Sequence, residues 1–186
     1  MQNLELKARV TEVFPQLVDV NAFKYRLVTI EVEQVKNFRA LVSIFHDVQA
    51  GDCIVTDKWK VTRIGKDTDP VDLCIRIDYL EVVPSEGFQM SDYLNAIVYG
   101  TYVCSEKCYL RTVGPDKKPF INATLKLEDA DGDSFGMLLI AFNSNAKKLS
   151  TVKSRSSLKC EVSVKKRRHD PGYELTIISF NILKEA

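Results

Sequence analysis

In the stretch LELKARV, Leu4, Leu6, Ala8 and Val10 alternate with Glu5, Lys7 and Arg9. Successive side chains of a β-strand point to opposite faces, so a period of two predicts a strand with one buried and one wet face. The same period governs most of the chain. It returns in YRLVTIEVEQV, with Val28, Ile30 and Val32 on one face, and FRALVSIF (Phe38–Phe45) is a further apolar run. After a turn at Gly51–Asp52, CIVTDKWKVTRI alternates through Val55, Trp59 and Val61. Beyond the breaker-rich loop GKDTDP, DLCIRIDYLEVV sets Leu73, Ile75, Ile77 and Tyr79 in register. Residues 1–83 thus predict five strands, with room for a helix only around His46–Ala50.

The segment PSEGF (Pro84–Phe88) interrupts the pattern, and residues 84–90 are expected to be a linker. Strands resume in residues 91–186. LNAIVYGTYVC carries an internal Gly100, and a long loop, SEKCYLRTVGPDKKP, follows it. FINATLKLED and SFGMLLIAF flank ADGD, whose Asp-Gly favours a hairpin turn. The chain then leaves a strand on Phe142 and passes at once into a short basic helix, NSNAKKL, with Lys147 and Lys148. SLKCEVSVKKRR, a turn at HDPG and YELTIISFNIL complete a second set of five strands. Two such sets, the second with a helix between its third and fourth strands, match the order of the OB-fold. That fold is a five-stranded Greek-key barrel that binds oligonucleotides or oligosaccharides. The expected class is all-β, with two tandem OB-fold barrels; a β-sandwich or two small barrels of another kind are the alternatives. Gly100 fits the sharp bend that the first strand of a small barrel must make.

Hydrophobic residues make up 45% of the 186 and charged residues 27%, enough for a packed core. No run approaches the ~20 apolar residues of a membrane span, and MQNLELKARV has no apolar signal core. A soluble, cytoplasmic protein is expected. The five cysteines are odd in number, and Cys53, Cys74 and Cys160 fall inside predicted strands, which reads as reduced core thiols. Charge is uneven: residues 1–90 hold 11 Lys+Arg against 14 Asp+Glu, and residues 91–186 hold 15 against 11. An anionic partner would prefer the second half.

From Gly100 onward, GTYVCSEKCYLRTVGPDKKPFINATLKLEDADGDSFGMLLIAFNSNAKKL resembles the core of bacterial single-stranded DNA-binding proteins. That family places a glycine in strand 1, then a loop, then a strand of the form F-x-x-A-x-L. A hairpin follows, then a strand ending in an aromatic, then a short helix with K-x-A-x-x-L or similar. Gly100, Phe120, Ala123, Leu125, Phe142, Ala146 and Leu149 fall in those places, and the resemblance covers about residues 94–183. It implies an OB-fold whose Phe142 stacks on a base. The first half does not match the motif. Nothing after NILKEA corresponds to the family's acidic and aromatic tail, and a further domain stands in front. Tail-borne recruitment and the family's usual homotetramer are therefore not carried over.

Single-strand binding needs a cationic groove for phosphates and aromatic faces for bases. Phe120, Asn122, Thr124 and Lys126 share one face of a predicted strand, opposite Ile121, Ala123, Leu125 and Leu127. Such a face is poor core and good binding surface. Phe142 is either a stacking residue or a plug beneath the short helix, and Phe135, seven residues earlier, belongs to the opposite face of an unbulged strand. Lys117 and Lys118 are expected in a basic loop, with Lys147 on the helix and Lys165, Lys166, Arg167 and Arg168 at a hairpin tip. Tyr102, Tyr109 and Tyr173 are further stacking candidates.

Catalytic and metal signatures are missing from the sequence. His46 and His169 share no motif, and Cys104 and Cys108 form a C-x3-C with no second pair for zinc. DADGD (Asp129–Asp133) lacks the remaining ligands and closing Glu of a calcium loop. No cofactor and no enzymatic activity are expected. The expected partner is single-stranded DNA, with RNA as a variant, and the expected role lies in replication, recombination or mobile-element maintenance. An assembly subunit docking a protein, or self-association through the first domain, is the alternative.

Overall fold

The computed structural model describes residues 3–66, 68–104 and 110–186. The chain falls into two compact units, one of residues 1–96 with 129–132 and one of residues 97–128 with 133–186.

The first unit is a closed barrel of β1 (Leu6–Val20), β2 (Phe23–Glu31), β3 (Phe38–Ser43), β4 (Cys53–Arg63) and β5 (Leu73–Val83), in the order β1-β2-β3-β5-β4. β3 and β5 run parallel and the other pairs antiparallel, which is the Greek-key connection of an OB barrel. β1 is longer than its alternation predicted. Its first half pairs with β4 and its second half with β2, and the register slips between Val10 and Glu12 and again between Val13 and Leu17. Such bulges bend a strand from one neighbour to the next, and Pro15, which has no N–H for a ladder, falls within the second slip. Asn21 and Ala22, both at positive φ, close the β1–β2 hairpin, so Phe23 opens β2 directly opposite Val20. After β3 comes a turn and no helix at His46–Ala50.

Alternating residues fill the barrel: Ala8, Val10, Val28, Ile30, Ala40, Val42, Ile54, Ile75 and Ile77 are buried. Trp59 is buried too, its indole N–H donating to the Leu4 carbonyl at 2.8 Å. A second, smaller core of Val20, Tyr25, Leu27, Leu41 and Cys74, with Phe14 and Val18 packed on it, covers the outer side of β2 and β3. The Tyr25 hydroxyl donates to Asp78 at 2.8 Å. Burial, with that bond, pushes the phenol above its ordinary pKa. Residues 91–92 are tied into this unit by backbone bonds from Glu33 and Gln34 and by the pairing of Ser91 with Lys7.

The second unit is built on β6 (Leu94–Val103), β7 (Arg111–Val113), β8 (Lys118–Glu128), β9 (Ser134–Phe142), α1 (Asn143–Leu149), β10 (Ser157–Lys166) and β11 (Tyr173–Lys184). Its sheet order is β6-β10-β11-β9-β8-β7, and β6 also pairs with β8, turning the sheet back on itself. Gly100 lies where β6 reaches β8, one residue before the Thr101–Lys126 pair. A Cβ there would stand 2.6 Å from the Lys126 carbonyl oxygen and 2.8 Å from the Leu125 side chain. The glycine is required by close backbone approach. Ala146 and Leu149 seat α1 on the barrel, and Lys148 donates to the Phe180 carbonyl while its ammonium sits 4.7 Å from that ring's centre.

β7 corrects the expected loop. Arg111–Val113 pairs with Lys118–Phe120 across the turn Gly114–Lys117, so Lys118 belongs to a strand and Lys117 to a tight turn at φ 47°. Three residues are too short a run for alternation to reveal.

Candidate nucleic-acid interface

The outer face of β8 is open. Ile121, Ala123, Leu125 and Leu127 point into the barrel and are buried. Asn122 and Lys126 are exposed on the other face, with Phe120 and Thr124 half-buried. Phe142, the last residue of β9, pairs in register with Phe120. The two rings stack, with centres 6.1 Å apart and planes 27° apart. Phe142 is 38% exposed, whereas Phe135 is buried, as the half-period between them requires. More than a third of Phe142 is thus open to solvent. Its backbone is extended, at φ −123° and ψ 158°, and it occupies the N-cap of α1 without a side-chain cap.

On its other side Phe120 pairs with Arg111 of β7. Arg111, Phe120 and Phe142 therefore form one row across three adjacent strands. Val113 and Lys118 form a second row on the same face, two residues nearer the turn. Arg111 escaped the sequence reading because β7 did; its only trace is the turn-forming GPDK between RTV and KPF. Lys147 is exposed on α1, which begins directly after Phe142, and adds a cation at this end.

The basic hairpin lies elsewhere on the sheet. β11 runs parallel to β9 with Leu175 opposite Leu139, so Tyr173 is level with Met137. Lys126 is opposite Gly136, at the same end. Six residues of β9 separate Gly136 from Phe142, a span of about 20 Å at ~3.4 Å per residue. Lys165, Lys166 and Arg168 are exposed at the hairpin tip; Arg167 is half-buried, its backbone N–H donating to the Gly172 carbonyl at 3.1 Å. Glu174 stands opposite Lys165 and Tyr173 opposite Lys166. Burial pushes the Glu174 carboxyl above its ordinary pKa, against the pull of Arg167, Lys165 and Arg168.

One tyrosine drops out. Tyr102 is 1% exposed, so its ring is core and offers no face to a base. The alternation of β6 dictates this, because Ala96, Val98 and Tyr102 share the inward face. Tyr109 lies outside the described residues. Asp129, from the acidic turn, pairs with Arg63 at 2.9 Å and accepts from the Asp131 backbone N–H. No group of three or more His, Cys, Asp or Glu among the described residues is placed to hold a metal ion. No helix among them is long and apolar enough to cross a membrane.

No protein-family model and no curated protein matches the sequence. Solved structures do match. A deletion mutant (delta 228-252 R190A) of the single-stranded DNA-binding protein from Thermus aquaticus superposes with a TM-score of 0.67 at 10% identity, over 100% of this chain and 96% of that one. The wild-type Thermus protein superposes with a TM-score of 0.65 at 9% identity, over 100% and 94%. The fold is shared. The likeness spans both barrels of this chain, and at these identities it is one of fold.

Proposed function

We propose that the protein is a non-catalytic binder of single-stranded DNA, with the second unit as its principal contact surface. The observation that carries the reading is the row Arg111–Phe120–Phe142: a cation beside two stacked rings, Phe142 exposed and Phe120 half-buried, on the outer face of an OB barrel. Unpaired bases stack on such rings in any sequence, and each stacked base is worth roughly 1–3 kcal/mol. Lys118 and Lys147 stand at the aromatic end and Lys126 with the basic hairpin at the other, so phosphates find cations at both ends of a ~20 Å path. The Thermus proteins of the same fold are described as single-stranded DNA-binding, which agrees with this reading. In the cell such a protein would hold or coat exposed strands during replication, recombination or mobile-element maintenance.

A second reading, an OB subunit that docks a protein, is favoured by Ile178, Ile182 and Leu183, exposed together along β11. One titration separates the two. Fluorescent oligonucleotides, as single-stranded DNA, single-stranded RNA and duplex, are titrated at two or more salt concentrations. The expected result is preference for single strands over duplex, with a log–log salt slope of about −0.7 per phosphate neutralised. Equal affinity for duplex, or a flat salt response, contradicts the proposal.

A further inference from the structure

We infer that the first unit carries a docking site for an acidic turn, and that the chain fills it with its own Asp129–Gly132, the turn between β8 and β9. By sequence this turn belongs to the second set of strands, yet residues 129–132 fall into the first unit. The chain therefore enters that unit twice. A tight hairpin needs only its Asp-Gly, and DADGD is more acidic than a turn requires.

Three contacts of different kinds seat the turn. Arg63, the last residue of β4, donates from Nε to Asp129 Oδ2 at 2.9 Å, and the two side chains are only 9% and 7% exposed. Asn21, at φ 49° in the turn between β1 and β2, donates its side-chain amide to the Ala130 carbonyl. Ala130 packs against the small core of Val20, Tyr25, Leu27, Leu41 and Cys74. A charge, a backbone acceptor and an apolar side chain of the turn are thus each met by a different part of the first barrel.

The turn also holds its own shape. Asp129 Oδ1, the carboxylate oxygen that Arg63 Nε leaves open, accepts the Asp131 N–H at 3.0 Å. The Gly132 N–H donates to the Asp129 carbonyl at 3.2 Å, and Gly132 takes φ 85°, which glycine adopts without strain. One carboxylate therefore shapes the turn with one oxygen and binds the first barrel with the other. A segment shaped in advance loses little conformational freedom on docking. A buried guanidinium in turn demands an anion, because a buried charge deprived of its partner is costly. Residues 1–83 consequently do not complete the first unit; it is finished by segments from beyond Pro84–Phe88. A chain cut there should remain one particle.

The test places a site for a sequence-specific protease within residues 84–88 of the full-length chain. After cleavage, native gel filtration over a dilution series gives the dissociation constant of the two pieces. Each variant is first shown, uncut, to melt cooperatively. Wild type should elute as one particle. Ser91 also ties the second piece to the first unit, so retention alone does not assign the turn, and the variants do. Asp129→Asn and Arg63→Met each remove one side of the buried pair and should raise the dissociation constant by about 100-fold or more. Arg63→Met combined with Asp129→Leu should cost less than the product of the two single effects. Asn21→Gly keeps the positive φ and loses only the amide, so it should fold and weaken the hold by about fivefold. Should the single variants of the buried pair fail to fold, Asn21→Gly decides alone. Cut wild type that separates or unfolds overturns the docking. An unchanged dissociation constant in Asp129→Asn or in Asn21→Gly overturns it too.

Discussion

Gly100 shows how one residue type can be fixed by space alone. A methyl group at that position meets a backbone carbonyl, which cannot rotate away as a side chain would. Gly100→Ala should therefore force β6 and β8 apart and lower stability by about 1–3 kcal/mol, read as a shift of the denaturant midpoint. An unchanged midpoint would mean that β6 does not close onto β8 as described. Gly100 was singled out in the sequence because a glycine interrupts an otherwise alternating strand. Tyr102, two residues on, shows the limit of reading side chains singly. An aromatic near a binding motif counts as a stacking candidate until the face it occupies is known, and Tyr102 is on the inward face.

At the scale of elements, the hairpin of β10 and β11 couples charge to burial. Glu174, opposite Lys165, offsets part of the positive charge that a phosphate would meet. Its folded pKa is raised, chiefly by burial. Its contribution to stability is thus fully present below the unfolded carboxyl's pKa and is lost as pH rises through the folded value. Glu174→Gln keeps the uncharged form at every pH and should not destabilise the neutral protein. It should tighten single-strand binding by at most about fivefold, the scale of one partly exposed ion pair of up to ~1 kcal/mol. The difference from wild type should vanish as pH falls through the carboxyl's titration. Anisotropy titrations along a pH series check this, and weaker binding by the variant would contradict it. The long strands of both barrels were legible because eight or more residues establish a period. β7 was not, having three residues, nor was the second half of β1, where two register slips destroy the alternation. The aromatic pair of the second unit was half legible: Phe120 and Phe142 were named, but their contact needs the register of β8 against β9, which no local pattern encodes.

For the whole molecule, order and charge argue that the halves are separable in function. The segment Pro84–Gly87 is exposed and lies between β5 and β6. Residues 91–186 carry 15 Lys+Arg against 11 Asp+Glu, a net of +4. Most of them belong to the second compact unit, residues 97–128 with 133–186, which has its own core in Tyr102, Ile121, Leu125, Leu139, Leu158 and Val162. Limited proteolysis should cut first at residues 84–87. A fragment of residues 91–186 should melt cooperatively and keep salt-sensitive single-strand binding. If that fragment is an unfolded chain while the full protein is folded, the halves depend on each other and the proposal of separable domains fails.

The stacked pair of Phe120 and Phe142 carries the functional account, so Phe142→Ala tests it most directly. Affinity for single-stranded DNA, its salt slope and the stability of the variant are measured together, beside a variant in which Lys165, Lys166, Arg167 and Arg168 are all replaced. A stacking ring removed should cost roughly 1–3 kcal/mol of binding with the slope unchanged. Loss of the four cations should weaken binding and also flatten the slope, by up to about 0.7 for each phosphate contact removed. With its ring partly in solvent, Phe142→Ala should cost less stability than the ~3–5 kcal/mol of a core Phe truncated to Ala. A Phe142→Ala protein with full core-scale destabilisation and unchanged affinity would contradict the account, because Phe142 would then serve packing and not bases.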